Sequence, residues 1–181
     1  MKIKTENLKE AAAALHCGEK VELTGVVYTA RDEAHKRLDE LLNKGFLIPF
    51  EIKGAIIYYA GPTPAPFGLP VGSCGPTTSG RMDSFSPRLL DLGLAAMIGK
   101  GERNEDVRQA IIRNKAVYFS ALGGAGALAA ECVKARETVA FPELGCESIN
   151  RFYFEDFPLI VAIDSEGRCV YDEGRKRYAI S

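Results

Sequence analysis

VELTGVVYTARDEAHKRLDELLNKG, residues 21–45, is the stretch that decides the fold class. Residues 21–28 are rich in β-branched side chains and read as a strand. Thr29 to Asp32 then follows the Ser/Thr-x-x-acid pattern that opens a helix. Ala34, Leu38, Leu41 and Leu42 recur at helical spacing, and Gly45 closes the element. A strand that feeds straight into a helix is the repeating unit of an α/β domain.

Working outward, the same alternation continues. Residues 55–59 (AIIYY) form a second strand. Ser86 and Pro87 read as an N-cap followed by proline at the first helical position. The helix they open carries Leu89, Leu90, Leu94 and Met97 and is expected to end at Gly99. Asn104 caps a further helix with Val107, Ala110 and Ile111 on one face. Residues 116–121 read as a strand, 125–133 as a helix and 138–141 as a short strand. Residues 159–164 and 168–171 flank a turn at 165–167 and read as a closing hairpin. No internal repeat is present. The expectation is a single α/β domain of mixed sheet type over residues 1–181.

Composition limits what such a domain does. Lys and Arg number 23 against 24 Asp and Glu, a net charge of −1, and hydrophobic residues make up 46%. That balance argues against non-specific nucleic-acid binding, which needs a basic face, but leaves room for a few arginines focused in one cleft. The five cysteines, Cys17, Cys74, Cys132, Cys146 and Cys169, are widely spaced and form no C-x-x-C. A zinc ribbon, a complete iron–sulfur site within this chain and a disulfide framework are therefore not expected, and a reducing cytoplasm fits. The start, MKIKTENLKE, has no apolar h-region, so no signal peptide is expected. The longest uncharged apolar stretch, residues 121–130, is half of the roughly 20 residues a membrane span needs.

Residues 61–81 (GPTPAPFGLPVGSCGPTTSGR) break the rhythm, with five of the chain's nine prolines and five glycines. A loop this long in a compact domain is disordered or functional. Its lack of charge before Arg81, and its Phe67, Leu69, Val71 and Cys74, favour an ordered binding loop over a linker.

Two arginines carry the chemical signal. Arg31 lies at the start of a helix, where the dipole and free N–H groups already make a positive field, so a cation there calls for an anion. Asp32 and Glu33 supply one reading; a bound carboxylate or phosphate supplies the other. Arg81 ends a run in which Thr77, Thr78 and Ser79 follow Gly75-Pro76, either a nest for an anion or a solvated turn. No histidine or acid in that run activates a hydroxyl, so a Ser-His-Asp nucleophile is not indicated. Lys100 stands between Gly99 and Gly101, just past an expected helix end, where a cation suits the dipole and glycines allow close approach. His35 reads more readily as a packed histidine than as a catalyst. Residues 124–129 (GAGALA) fit the dinucleotide pattern G-x-G-x-x-A, with Glu143 some twenty residues on, but too few βα units follow.

Taken together and in order, residues 29–37 (TARDEAHKR), 75–83 (GPTTSGRMD), 98–101 (IGKG), 123–126 (GGAG) and 155–158 (EDFP) resemble the beta subunit, or C-terminal region, of the class I iron–sulfur hydro-lyases, fumarate hydratase and L-tartrate dehydratase. The resemblance runs over residues 23–178. It implies a three-layer β/β/α swivelling fold and a [4Fe–4S] cluster held by three cysteines of a separate alpha subunit. It implies a cytoplasmic hetero-oligomer that hydrates fumarate to malate, a tricarboxylic acid cycle step, or dehydrates tartrate to oxaloacetate, active only with the alpha subunit. By motif position Arg31, Arg81, Lys100 and Thr78 resemble the family's substrate contacts. Thr77 resembles the threonine placed for proton transfer. The Met1 start implies the two-subunit arrangement. A nucleotide-binding or non-catalytic binding domain is the reading from a different class.

Overall fold

The computed structural model describes residues 1–178, so the last three residues of the expected domain lie outside the described ones. Its elements are β1 (Lys2–Lys4), α1 (Leu8–Ala11), β2 (Lys20–Thr29), α2 (Asp32–Asn43), β3 (Ile56–Tyr58), α3 (Ser86–Asp91), β4 (Ala96–Gly99), α4 (Glu105–Asn114), β5 (Val117–Ser120), α5 (Gly126–Cys132), β6 (Val133–Ala140), β7 (Ile149–Ile163) and α6 (Val170–Tyr178). The strands form one seven-stranded sheet in the order β1-β2-β3-β4-β5-β7-β6, with β2 also paired to β7. The ladders β1–β2, β2–β3, β3–β4 and β4–β5 are parallel, and the three ladders of β7 are antiparallel. The fold is α/β with a mixed sheet. Because β2 meets both β3 and β7, the pairings close a ring through β2, β3, β4, β5 and β7.

Period-2 alternation along the short parallel strands builds two cores. Ile56, Tyr58, Ile98, Val117 and Phe119 face a core shared with Val21, Leu23 and Val27 of β2 and Phe152, Phe154 and Phe157 of β7. Their neighbours Ile57, Met97 and Tyr118 face the other side, where Ala34 and Leu38 of α2, Leu89 and Leu90 of α3, and Val107 and Ile111 of α4 cover them. Strands buried on both faces read as continuous apolar runs, which is why AIIYY and AVYF stood out.

The bend in the β2–β7 ribbon has a local cause. Between Leu23 and Gly25 the register slips, so that Thr24 opposes two residues of β7. Asp156 takes a left-handed φ of 49° there, and its backbone N–H donates to Thr24 Oγ1 at 2.9 Å. This is a β-bulge, and it accounts for part of the EDFP run. Gly25 has φ 131°, and a Cβ on it would collide with Thr5 Oγ1, which accepts from Val26 N–H at 3.1 Å.

Four expectations need correction. The helix opened at Ser86 ends at Asp91, and Met97 and Gly99 belong to the strand β4. Gly93, at φ 105°, turns the chain between them; the all-apolar run through Ile98 matched either period. Ser86 is a helical residue and not the N-cap; its hydroxyl donates back to the Met82 carbonyl at 2.8 Å. The closing hairpin is a strand followed by a helix: β7 ends at Ile163, Ile163 bridges Cys169, and α6 begins at Val170. The strand at 138–141 is the end of β6, which runs eight residues. Strand β1 and most of β7 carried no signal that propensity alone isolates.

Gly25→Ala therefore introduces both a strained φ and a clash with Thr5. It is expected to cost roughly 1–3 kcal/mol of stability, read as a lower urea midpoint at unchanged m-value.

Candidate functional site

Strands β2, β3, β4 and β5 run parallel, and the residues just past their carboxyl ends lie along one rim. Arg31 follows β2, Gly61 follows β3, Lys100 follows β4 and Gly123 follows β5. The crevice outside the carboxyl ends of parallel strands is the general place for ligands in α/β sheets. Lys100 thus stands past a strand end, not past a helix end, a correction that follows from β4.

Helix α2 starts two residues later than the capping pattern implied. Thr29 is a buried residue of β2 whose hydroxyl accepts from Asn150, at 3.2 Å from both its backbone and side-chain nitrogens. The N-cap is Arg31, without a side-chain cap bond of its own. The cap is supplied from 114 residues away: Glu147 Oε2 accepts from the Glu33 backbone N–H at 3.0 Å, and Glu147 Oε1 lies 3.5 Å from Arg31 Nη2. The Arg31 carbonyl accepts both the backbone N–H and the imidazole of His35, at 2.9 and 2.8 Å. A carbonyl only accepts, so Nδ1 carries the imidazole proton and Nε2 is left as an acceptor.

The Asp32 carboxylate lies between the two arginines. Arg81 Nε lies 2.8 Å from Asp32 Oδ1 as an ion pair, and Arg31 Nη2 lies 3.9 Å from Asp32 Oδ2. Arg81 is held side-on and is 55% exposed, so the outer edge of its guanidinium is open. Arg31 is 20% exposed and lies across Gly61, where a Cβ would sit 2.7 Å from Nη1. Arg31 Nε, Asp32 Oδ2 and His35 Nε2 are the buried side-chain polar atoms without a hydrogen-bond partner among the described residues. All three sit at the start of one helix. Buried polar groups are nearly always paired, so three such atoms at one helix start single that place out.

Thr77 is half-buried and its backbone N–H donates to the Tyr59 carbonyl at 2.7 Å, while Thr78 is exposed and bridges Lys100 in parallel register. The stem of Lys100 passes over Gly123, and no carboxylate lies within 4 Å of its amino group among the described residues. Arg31, Arg81, Thr77, Thr78 and Lys100 are therefore neighbours on one rim, linked through Asp32 and the Thr78–Lys100 bridge. Beneath it, Arg103 is fully buried, donates from Nε to Asp83 Oδ1 at 2.6 Å, and lies 5.2 and 5.0 Å from the Tyr59 and Tyr118 ring centres. Sequence reading missed Glu147, Asp83, Arg103 and Tyr118. Only the acid in GRMD and the arginine after IGKGE hinted at the buried pair.

The loop of residues 61–81 is ordered against its own chain: Tyr58 donates to the Cys74 carbonyl at 2.6 Å, and Cys74 N–H donates to the Gly126 carbonyl at 2.9 Å. Gly126 serves that packing, since a Cβ there would strike Ser73 Oγ and lie 3.0 Å from Gly75 N. Ser73 and Gly75 pack directly against Gly126, and the strands that follow are antiparallel, against a dinucleotide site. Cavities of about 550, 390 and 380 Å³ lie elsewhere, and none is lined by Arg31, Thr77, Arg81 or Lys100. The rim is an open surface. No described helix is long and apolar enough to cross a membrane.

Comparison with known proteins places this rim in context. A family model described as fumarase C-terminus matches residues 1–174. The chain is 41% identical over 156 residues to the anaerobic class I fumarate hydratase of Escherichia coli (strain K12), covering 85% of this chain and 28% of that one. It is 35% identical over 170 residues to fumarate hydratase 2 of Leishmania major, covering 93% and 30%. It is 37% identical over 175 residues to the "Putative L(+)-tartrate dehydratase subunit beta" of Methanocaldococcus jannaschii, covering 93% and 90%. The chain thus spans under a third of the fumarate hydratases and nearly all of the subunit.

Burial pulls the His35 pKa from 6.5 down to about 4, against the opposing pull of the Arg31 carbonyl. The folded state therefore holds the neutral form where the unfolded chain takes up a proton, and stability falls as pH drops from 6.5 towards 4. The slope is roughly 1.4 kcal/mol per pH unit. His35→Gln is expected to flatten that part of the denaturation-against-pH profile, while acid loss below pH 4, which belongs to the carboxylates, stays.

Proposed function

The chain belongs to the fumarase C-terminus family, and we propose that it is the beta subunit of a two-subunit hydro-lyase that interconverts fumarate and malate. The observation that carries this reading is the pair of arginines sharing Asp32 on an open rim, with three orphaned polar atoms beside them. A small-molecule site buries most of its ligand, so an open rim needs a second surface to close over a substrate. That surface is assigned to an alpha subunit. The near-complete match to a protein named as a subunit supports the division.

Arg31 and Arg81 take the substrate carboxylates, Lys100 adds a third cation and Thr78 a hydroxyl at the rim. When a proton leaves the carbon next to a carboxylate, negative charge builds on that carboxylate. Fixed guanidinium groups there stabilise the transition state more than the ground state. Thr77 Oγ1 is assigned the proton transfer, and a hydroxyl needs a neighbouring base for it. The alpha subunit is the source of that base in this proposal.

A [4Fe–4S] cluster does not fit on this chain. No group of three or more His, Cys, Asp and Glu among the described residues is arranged to hold a metal ion, and the five cysteines are separate free thiols. The cluster is therefore assigned to the alpha subunit, and with it the Lewis-acid chemistry at the substrate hydroxyl. Free thiols also favour a reducing compartment, and the cytoplasm is proposed.

L-Tartrate dehydration is the second reading, favoured by the 90% coverage of the tartrate-named subunit. Both substrates present two carboxylates and a leaving hydroxyl. Initial rates on fumarate, L-malate and L-tartrate with the anaerobically purified complex separate the two. Hydratase activity from this chain alone would sink the subunit assignment. In the complex, Arg81→Ala is expected to cost roughly 2–5 kcal/mol of transition-state stabilisation. Its melting temperature should change little, because the side chain is half exposed. Near-normal kcat/KM in that variant would remove Arg81 from the site.

A further inference from the structure

Strand β5 sends one hydroxyl to the underside of the rim. Tyr118 is fully buried, and its Oη lies 2.8 Å from Ser79 Oγ and 2.9 Å from the Gly101 carbonyl. Ser79 Oγ also accepts from the Lys100 backbone N–H at 3.1 Å, and Ser79 N–H donates to the Lys100 carbonyl at 2.9 Å. The Tyr118 hydroxyl donates, sharing its one proton between Ser79 Oγ and the Gly101 carbonyl. Ser79 Oγ thus accepts from both Tyr118 and the Lys100 backbone N–H. The bonds run from Lys100 to Ser79 to Tyr118 to Gly101, so they begin and end on the Lys100–Gly101 turn.

This loop of bonds clamps the turn that carries Lys100 to the segment that carries Thr77, Thr78 and Arg81. A Cβ on Gly99 would collide with Ser79 Oγ and lie 2.9 Å from the Tyr59 ring, so glycine at 99 makes room for the clamp. Arg103 stacks 5.0 Å from the Tyr118 ring and pairs with Asp83, which also accepts from Asn104 N–H at 2.7 Å. Burial pushes the Tyr118 phenol above its ordinary range, so it stays a donor at any working pH. A second cross-link, independent of Lys100, thus fixes the ring itself.

We propose that Tyr118 is a positioning residue that acts through Lys100, setting the place of that cation relative to Arg81 for a dicarboxylate substrate. The inference rests on the assignment of Lys100 to the substrate site. Tyr118→Phe keeps the ring and removes the oxygen; Ser79→Ala breaks the same clamp from the other side.

The test is a double-mutant cycle in the assembled hydro-lyase, with fumarate as substrate, joined to hydrogen exchange on the full chain. Tyr118→Phe is expected to lower kcat/KM on the order of tenfold, mostly through KM, and to change it less than about twofold in a Lys100→Ala background. Ser79→Ala should behave alike. The Lys100 amide should exchange at least about tenfold faster in both variants. Equal losses in both backgrounds, wild-type kinetics for Tyr118→Phe, or an equally protected Lys100 amide would overturn the inference while leaving the site assignment standing. An unimpaired Lys100→Ala would overturn the assignment and the inference with it.

Discussion

Everything that reaches the rim hangs on the antiparallel pairing of β2 with β7. The two long strands share a ladder from Lys20 opposite Ile160 to Thr29 opposite Asn150. At one end β2 hands on to β3, and at the other β7 hands on to β5, so three short parallel strands span between two ends of one bent ribbon. Short strands in a parallel sheet are weak alone, because each offers few ladder bonds. Here they are held at both edges and buried on both faces, and their carboxyl ends are fixed in place. Asn150 ties this ladder to the site-bearing helix: it bonds Thr29, one residue before Ala30 and two before Arg31, and also Ser148, next to Glu147.

The rim and the ground beneath it treat charge in opposite ways. Arg103 is buried and fully satisfied, with Asp83, Ser86 and two aromatic faces as partners. A buried ion pair in which each guanidinium nitrogen has a partner is rigid, and breaking it leaves a stranded charge. At the rim, by contrast, Arg31 and Arg81 share one carboxylate, and polar atoms beside them are unpaired. The rigid pair supports the loops, and the unsatisfied pair faces the open side. A receptor for an anion needs that combination, since guanidinium groups already saturated by their own chain have nothing left to offer.

Much of the fold class was legible because its signals are local. The strand at 21–28, the helix after it and the Asn104 cap each depend on neighbours a few residues away, and each is present. The misreadings came where two periods coincide or where the cause is distant. The apolar run from Leu92 to Ile98 satisfies helix and strand patterns alike, and the turn at Gly93 separates them. Thr29 matched a capping pattern, but Asn150, paired to it across the ladder, claimed its hydroxyl. Arg31 stood out from helix-dipole reasoning, and Arg81 from the run of hydroxyls before it. Glu147 and Tyr118 did not, because a cap supplied across 114 residues and a hydroxyl beneath a loop leave no trace in spacing.

Asp32 makes the open rim intelligible as a resting state. Two guanidinium groups close together repel, and without an anion between them the loops that carry them would be pushed apart. Asp32 and Glu147 supply that anion from within the chain, so the arginines stay gathered. The contacts are economical: Arg81 gives Asp32 only its Nε edge, and Arg31 approaches at 3.5–3.9 Å, longer than a hydrogen bond. Under the proposed assignment, a carboxylate meeting the outer edges would add bonds without first displacing an internal one. Guanidinium groups gathered in advance need no ordering when an anion arrives, which is the condition for binding by preorganisation.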